Sequence, residues 1–181
     1  MELYEKTLKQ NHVFSGIIVN VRQDEALLPN GKTAMREVVE HNGGVCVAPI
    51  TDDKELIFVR QFRYPYSQVV LELPAGKLEK GEDAFEAGKR ELEEETGNIA
   101  GRYIDCGVFL PSPGYCGEVI HLYAACDLTP TKMNLDEDEF LEAEKIPLKK
   151  AVEMVMNNEI IDGKTQALVL KIDCLVREGK I

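Results

Sequence analysis

"GKLEKGEDAFEAGKRELEEETGN", residues 76–98, switches the chain from strand to helix and packs four glutamates between Arg90 and Gly97. The helix expected over 82–96 stops at Gly97, a residue suited to the left-handed position that ends helices. Its last carboxylates therefore stand where the macrodipole places partial negative charge, and each is disfavoured there by about 0.3–1 kcal/mol. A helical wheel separates them. Ala84, Ala87, Gly88, Glu94 and Glu95 fall within about 60° of Glu91, so three carboxylates share a stripe of small residues. Phe85 and Leu92 mark the expected core side. Glu86, Lys89 and Glu93 form a solvated face on which Lys89 and Glu93 are spaced i, i+4, so Glu93 reads as surface charge. Carboxylates held at i, i+3 and i+4 repel and raise one another's pKa unless a cation joins them. Oxygen donors in that pattern suit a hard divalent ion such as Mg2+ or Mn2+.

Upstream of this helix the first 70 residues read as β-structure. "SGIIVNVRQDEALLPNGKTAMREVVEH", residues 15–41, gives two alternating runs about Asn30-Gly31, a hairpin signal. "GGVCVAPI" and "KELIFVRQF" then predict a second strand pair around Asp52-Asp53, and "VVLELPAG" another strand halted by Pro74 and Gly76. Downstream, "RYIDCGVFL" and "EVIHLYAACDL" predict strands flanking "PSPGYCG", a loop rich in Pro and Gly. "NLDEDEFLEAEKIPL" opens as an acidic loop and ends as a short strand, before helices expected in "LKKAVEMVMNN" and "KTQALVLKIDCLVRE". Mixed strands with three helices predict an α+β fold.

A chain of 181 residues, 44% of them hydrophobic, has room for one ordinary domain with a small appended element. Lys+Arg is 21 against 32 for Asp+Glu, a formal charge of −11 that repels phosphate backbones and argues against nucleic acid as a partner. An anionic ligand needs a local basic cluster or bound cations on such a surface. Cys46, Cys106, Cys116, Cys126 and Cys174 form no C-x-x-C pair; their odd number, with no leader pattern in "MELYEKTLKQ", predicts reduced thiols in the cytoplasm. No run approaches the ~18 apolar residues of a membrane span.

Residues 76–98 resemble the Nudix box, G-x5-E-x7-R-E-U-x-E-E-x-G-U with U a bulky aliphatic residue. Gly76, Glu82, Arg90, Glu91, Leu92, Glu94, Glu95 and Gly97 match, and Asn98 departs at the final packing position. The resemblance implies an α/β/α Nudix sandwich with a mixed sheet, and hydrolysis of a nucleoside diphosphate linked to another moiety with divalent cations on the box helix. Glu91 and Glu95 are then expected metal ligands, Glu94 a ligand or its partner, and the backbone carbonyl of Ala75 a further ligand. Gly76, Glu82, Arg90 and Gly97 are expected to hold the loop-helix-loop, with Glu82 and Arg90 as an ion pair.

Outside the box the chain resembles the bacterial ADP-ribose pyrophosphatase branch, through "REVVEHNGGV", "VRQFRYP", "ELPAGKLEKGE", "PSPGYCGE" and "LDEDEFLE". The likeness places Ser112, Pro113, Gly114 and Glu118 on the terminal ribose and diphosphate, with Gly117 where relatives commonly carry an acidic residue. It makes Glu137 the expected general base and Glu139 a metal-linked partner, either of which can be the base. Arg36 and Arg63 become phosphate contacts, since an arginine fork matches phosphate oxygens, and Lys77 a further binding residue. Residues 1–41 match an N-terminal β-element that crosses to a partner subunit, which implies a homodimer, with 42–181 as the hydrolase domain. The expected reaction splits ADP-ribose into AMP and ribose 5-phosphate with Mg2+ or Mn2+. The alternatives are another nucleoside diphosphate sugar, a dinucleoside polyphosphate or an oxidised nucleotide as substrate, or a non-catalytic ADP-ribose sensor, which the intact carboxylate set opposes.

Overall fold

The computed structural model describes residues 3–135 and 139–181. In chain order the elements are β1 (Lys6–Ser15), β2 (Asn20–Leu27), β3 (Thr33–Glu40), β4 (Gly44–Pro49), β5 (Glu55–Arg63), β6 (Gln68–Glu72), β7 (Ala75–Lys77), α1 (Ala84–Thr96), β8 (Asn98–Phe109), β9 (Ile120–Pro130), β10 (Leu141–Pro147), α2 (Leu148–Met156) and α3 (Gly163–Arg177), with a 3-10 turn at Tyr64–Tyr66. They divide into two compact units, Met1–Gly43 with Leu110–Val119, and Gly44–Phe109 with Ile120–Ile181. Among the described residues no helix is long and apolar enough to cross a membrane.

The first unit is an antiparallel sheet of order β1-β2-β3. Its β2-β3 hairpin turns at the expected place: Gly31 takes φ +80° and the Lys32 amide donates to Asn30 Oδ1 at 3.0 Å. The strand β1 lies in the segment expected to be β-structure, but the sequence singles out no individual strand there. All ten of its residues are exposed, so neither face imposes an apolar alternation that a period-2 pattern would reveal. The loop after β8 docks on β3, where the Val39 amide donates to the Tyr115 carbonyl and the Gly117 amide to the Val39 carbonyl, at 2.8 and 2.9 Å.

The second unit holds an antiparallel sheet, β10-β5-β6, and a mixed sheet, β7-β4-β9-β8, in which β4 and β9 run parallel. The predicted pairing of β4 with β5 does not form: beyond an isolated Ile50–Leu56 bridge at the connecting turn, the two strands belong to different sheets. Burial decides it. Every residue of β4 is buried, with Val45 and Val47 packed among Ala87 and Leu92 of α1, and Cys46 and Ala48 in the cluster that holds Leu168, Val169 and Ile172 of α3. A strand covered on both faces belongs inside a sheet, and β4 has β7 on one edge and β9 on the other.

Two caps position α1. Asp83 precedes it and its Oδ1 accepts from the Phe85 and Glu86 amides at 3.0 and 3.1 Å. Gly97 ends it at φ +61°, in the left-handed conformation, and a Cβ there would stand 2.8 Å from the Met133 nitrogen. Only glycine satisfies both demands.

Candidate active site

The packing of α1 revises the wheel. Its buried residues are Ala87, Gly88, Glu91, Leu92, Glu95 and Thr96, so the small-residue stripe is the face pressed onto β4. What approaches the helix closely is that strand: a Cβ on Gly88 would meet Val45 Cγ2 at 3.1 Å and Val47 Cγ2 at 3.3 Å. Leu92 is in the core as expected. Phe85 is not, being 38% exposed and packed edge-on against Tyr103 and Tyr123. Lys89 pairs with Glu86 at 2.9 Å instead of Glu93, in the orientation that puts the acid nearer the helix start.

Glu91 and Glu95 thus sit at the rim of a packed face, 7% and 2% exposed. The strand β7 closes over them. The Ala75 amide donates to Glu95 Oε2 at 3.0 Å, and Gly76 lies so near that a built Cβ would stand 1.8 Å from Glu91 Oε1. Arg90 spans three box residues: Nη1 lies 2.8 Å from both Glu91 Oε1 and Glu94 Oε2, and Nη2 3.3 Å from Glu82 Oε1. Glu82 also accepts from the Glu79 amide at 2.8 Å within the loop before α1, so its pairing with Arg90 ties that loop to the helix. Glu93 is exposed.

Positive charge is in short supply here. Burial, then the charge of Glu91, pushes Glu95 up to about 8; Glu139 adds to the rise, while the Ala75 amide and Arg63 oppose it. Glu91 is also raised, by burial first, against the lowering effect of Arg90. Among the described residues no group of three His, Cys, Asp or Glu side chains stands ready to hold a metal ion, and Glu91 and Glu94 are both paired with Arg90. The donor chemistry nevertheless fits a hard cation. Two buried, hydrogen-bonded carboxylates are held protonation-prone beside further acids, and a dication would supply the charge they lack.

The raised pKa gives a stability prediction. Between about 4.5, the ordinary value, and 8 the folded protein holds more protons on Glu95 than the unfolded chain does. Stability from this group is therefore complete below 4.5 and is lost as pH rises toward 8, with a slope of up to about 1.4 kcal/mol per pH unit. In chelator, urea unfolding of wild type should weaken relative to Glu95→Gln between pH 5 and pH 9. A constant difference would mean that Glu95 stays ionised.

The other expected site residues fall in two places. In the second unit, Arg63 at the end of β5 is held by Glu72 of β6, Nε to Oε1 at 2.6 Å and Nη2 to Oε2 at 2.8 Å. It borders a cavity of about 270 Å³. Lys77 is exposed on β7, and Glu139 is partly buried; Glu137 lies outside the described residues. In the first unit, Arg36 on β3 is taken bidentately by Glu5, at 2.9 and 2.8 Å. Ser112 anchors a turn through its carbonyl, which accepts from the Tyr115 and Cys116 amides, while Pro113 and Gly114 are exposed at its tip and Glu118 lies 3.5 Å from His41.

Sequence reasoning missed the residues behind Arg63. Glu72 also pairs with Lys164, whose Nζ lies 3.0 Å from Asp162. Asp162 caps α3 by accepting from the Thr165 amide at 2.9 Å, and Thr165 Oγ1 accepts from the Leu73 amide at 2.9 Å. The signal was a lysine in the first turn of a helix, where the macrodipole disfavours a cation.

The family model described as NUDIX domain matches residues 40–165. The chain is 42% identical over 165 residues to an ADP-ribose pyrophosphatase of Bacillus subtilis (strain 168), covering 90% of this chain and 89% of that one. It is likewise 42% identical to a methanol dehydrogenase activator of Bacillus methanolicus, over 89% and 88% of the two chains. A crystal structure of an ADP compounds hydrolase superposes with a TM-score of 0.85 at 24% identity over the whole of both chains, a likeness of fold. Gly76, Arg90 and the carboxylates of α1 lie within the matched segment, and the chain belongs to the Nudix family.

Proposed function

We propose that this protein hydrolyses the diphosphate bond of ADP-ribose, giving AMP and ribose 5-phosphate, with Mg2+ or Mn2+ as cofactor. The observation that carries the reading is the buried pair Glu91 and Glu95, under-compensated in charge and backed by Ala75 and Gly76 of β7. Its substrate class is supported by the ADP-ribose pyrophosphatase relative, which covers nine-tenths of the chain.

Glu91 and Glu95, with the carbonyl of Ala75 and with Glu94 and Glu139 as further donors, would hold the cations, which would supply charge to screen the diphosphate and to acidify water. Glu137 or Glu139 takes the proton of the attacking water. Arg63 and Arg36 contact phosphate oxygens once they leave Glu72 and Glu5, and Lys77 adds positive charge. Ser112, Pro113, Gly114 and Glu118 contact the terminal ribose and diphosphate. Gly76, Glu82, Arg90 and Gly97 keep the loop and helix in register. The protein is a cytoplasmic homodimer joined through residues 1–41, a segment whose sheet and β1–β2 connection leave Phe14, Ile17, Ile18 and Met35 exposed. With a charge of −11, nucleic acid is not a partner, and neither is a membrane.

A steady-state panel with Mg2+ tests the substrate. ADP-ribose is expected to give the highest kcat/KM among ADP-ribose, a second nucleoside diphosphate sugar, a dinucleoside polyphosphate and an oxidised nucleotide. A competitor turned over far better would replace it, and binding of ADP-ribose without turnover would make the protein a sensor. A second reading, activation of a methanol dehydrogenase, has the 42% identity to the Bacillus methanolicus protein in its favour. Adding the protein to a methanol dehydrogenase assay, with and without ADP-ribose as competitor, decides it.

A further inference from the structure

Glu72 is 2% exposed and serves two cations at once. Oε1 accepts from Arg63 Nε, and Oε2 accepts both Arg63 Nη2 and Lys164 Nζ. The Arg63 side chain is 37% exposed and faces the cavity, whereas Lys164 is 11% exposed and pinned between Glu72 and Asp162. Both line the cavity, but Lys164 is enclosed between two carboxylates, whereas Arg63, although held bidentately by Glu72, is the more exposed of the two.

We infer that Lys164 is a positioning residue: by sharing Glu72 it leaves Arg63 exchangeable, so the guanidinium can turn from Glu72 to a diphosphate oxygen in the adjoining cavity without stranding a buried carboxylate. The inference rests on the phosphate role proposed for Arg63. Its physical basis is an asymmetry: removing the last counter-ion from a buried charge is costly, whereas removing one of two is much less so. Without Lys164, Arg63 is the sole partner of Glu72 and is locked to it. Burial pushes the Glu72 carboxyl up, but Arg63 and Lys164 together bring it below its ordinary value, which agrees with an acid that stays charged while its partners exchange. The backbone adds a reason for the position of Lys164. It is flanked by Asp162, which caps α3, and by Thr165, which holds the Leu73 amide, so the enclosed cation is built into the same turn that anchors the end of β6.

The test is steady-state kinetics on ADP-ribose with Mg2+, with thermal unfolding of every variant. Lys164→Met is expected to raise KM about tenfold while kcat changes by less than about threefold, the pattern of lost ground-state binding. Lys164→Arg should restore KM, and in a Glu72→Gln background Lys164→Met should move KM by less than about threefold, because the acid that locks Arg63 is gone. Lys164→Gln, which keeps a donor without the charge, is expected to show the same rise and serves if Lys164→Met does not fold. An unchanged KM in both neutral variants, or an equal rise in the Glu72→Gln background, overturns the inference. Arg63→Lys separates the two levels: a raised KM there beside an unchanged KM in Lys164→Met sinks the inference alone, whereas an unchanged KM in Arg63→Lys sinks the phosphate role of Arg63 as well.

Discussion

Glu95→Gln is expected to lower kcat for ADP-ribose by about 10³-fold, equivalent to about 4 kcal/mol of transition-state stabilisation, while the fold stays intact. Glutamine is isosteric, and its Oε1 can still accept the Ala75 amide that now reaches Glu95 Oε2 at 3.0 Å. What disappears is the charge. In the metal-free protein that charge is a burden, since burial and Glu91 raise the Glu95 carboxyl to about 8, so the variant should melt no lower than wild type in chelator. With Mg2+ the order should reverse, because ligand-linked stabilisation requires the site that the variant lacks. Activity loss together with unimpaired metal-free stability is the signature sought. Glu93→Gln, on the exposed face of the same helix, should leave both kcat and melting unchanged and serves as the control. Near-normal turnover in Glu95→Gln would remove Glu95 from the metal site.

How much of this was legible in the sequence depended on whether a residue's role was local. The helix expected over 82–96, found as Ala84–Thr96, was visible because its glycine stop, its period and the box spacing all lie within a short segment, although its Asp83 cap was not read. The hairpin at Asn30-Gly31 was visible for the same reason. Strand β1 was not, since a strand exposed on both faces carries no alternation. The pairing of β4 was misread because a short apolar run followed by a turn looks like half a hairpin, and only long-range burial sends it to β7 and β9. The wheel isolated Glu91 and Glu95 correctly from Glu93, yet it could not say that the small residues beside them face a strand and not a ligand. The Glu72–Lys164 pair joins positions 92 apart, and nothing in either local segment announces the other. Arg36 and Arg63 were legible as forks, but not that each is already held by a carboxylate.

Gly76→Ala should cost about 10²-fold in kcat/KM with little change in melting temperature, and the separation of those two effects follows from what the new methyl would strike. A Cβ at position 76 lies 1.8 Å from Glu91 Oε1, 2.0 Å from its Cδ and 2.7 Å from its Cγ, so Glu91 must move. It can do so by rotating its side chain, because the atoms in the way are its outer ones and Gly76 does not occupy the left-handed region that would strain an alanine backbone. The register of β7 with β4, Gly76 opposite Val45, can therefore persist. The displaced carboxylate loses its place beside Glu95, and a shift of about 1 Å in a positioned group is enough for a loss of that size. Circular dichroism and thermal unfolding check the fold, and kinetics on ADP-ribose across a Mg2+ titration check the site, where the variant should need more metal for half-maximal rate. Wild-type kinetics would show that the close approach of Gly76 to Glu91 does not position that carboxylate. A large fall in melting temperature would instead show that Glu91 cannot rotate away, and that the box glycine holds the β7–α1 contact itself.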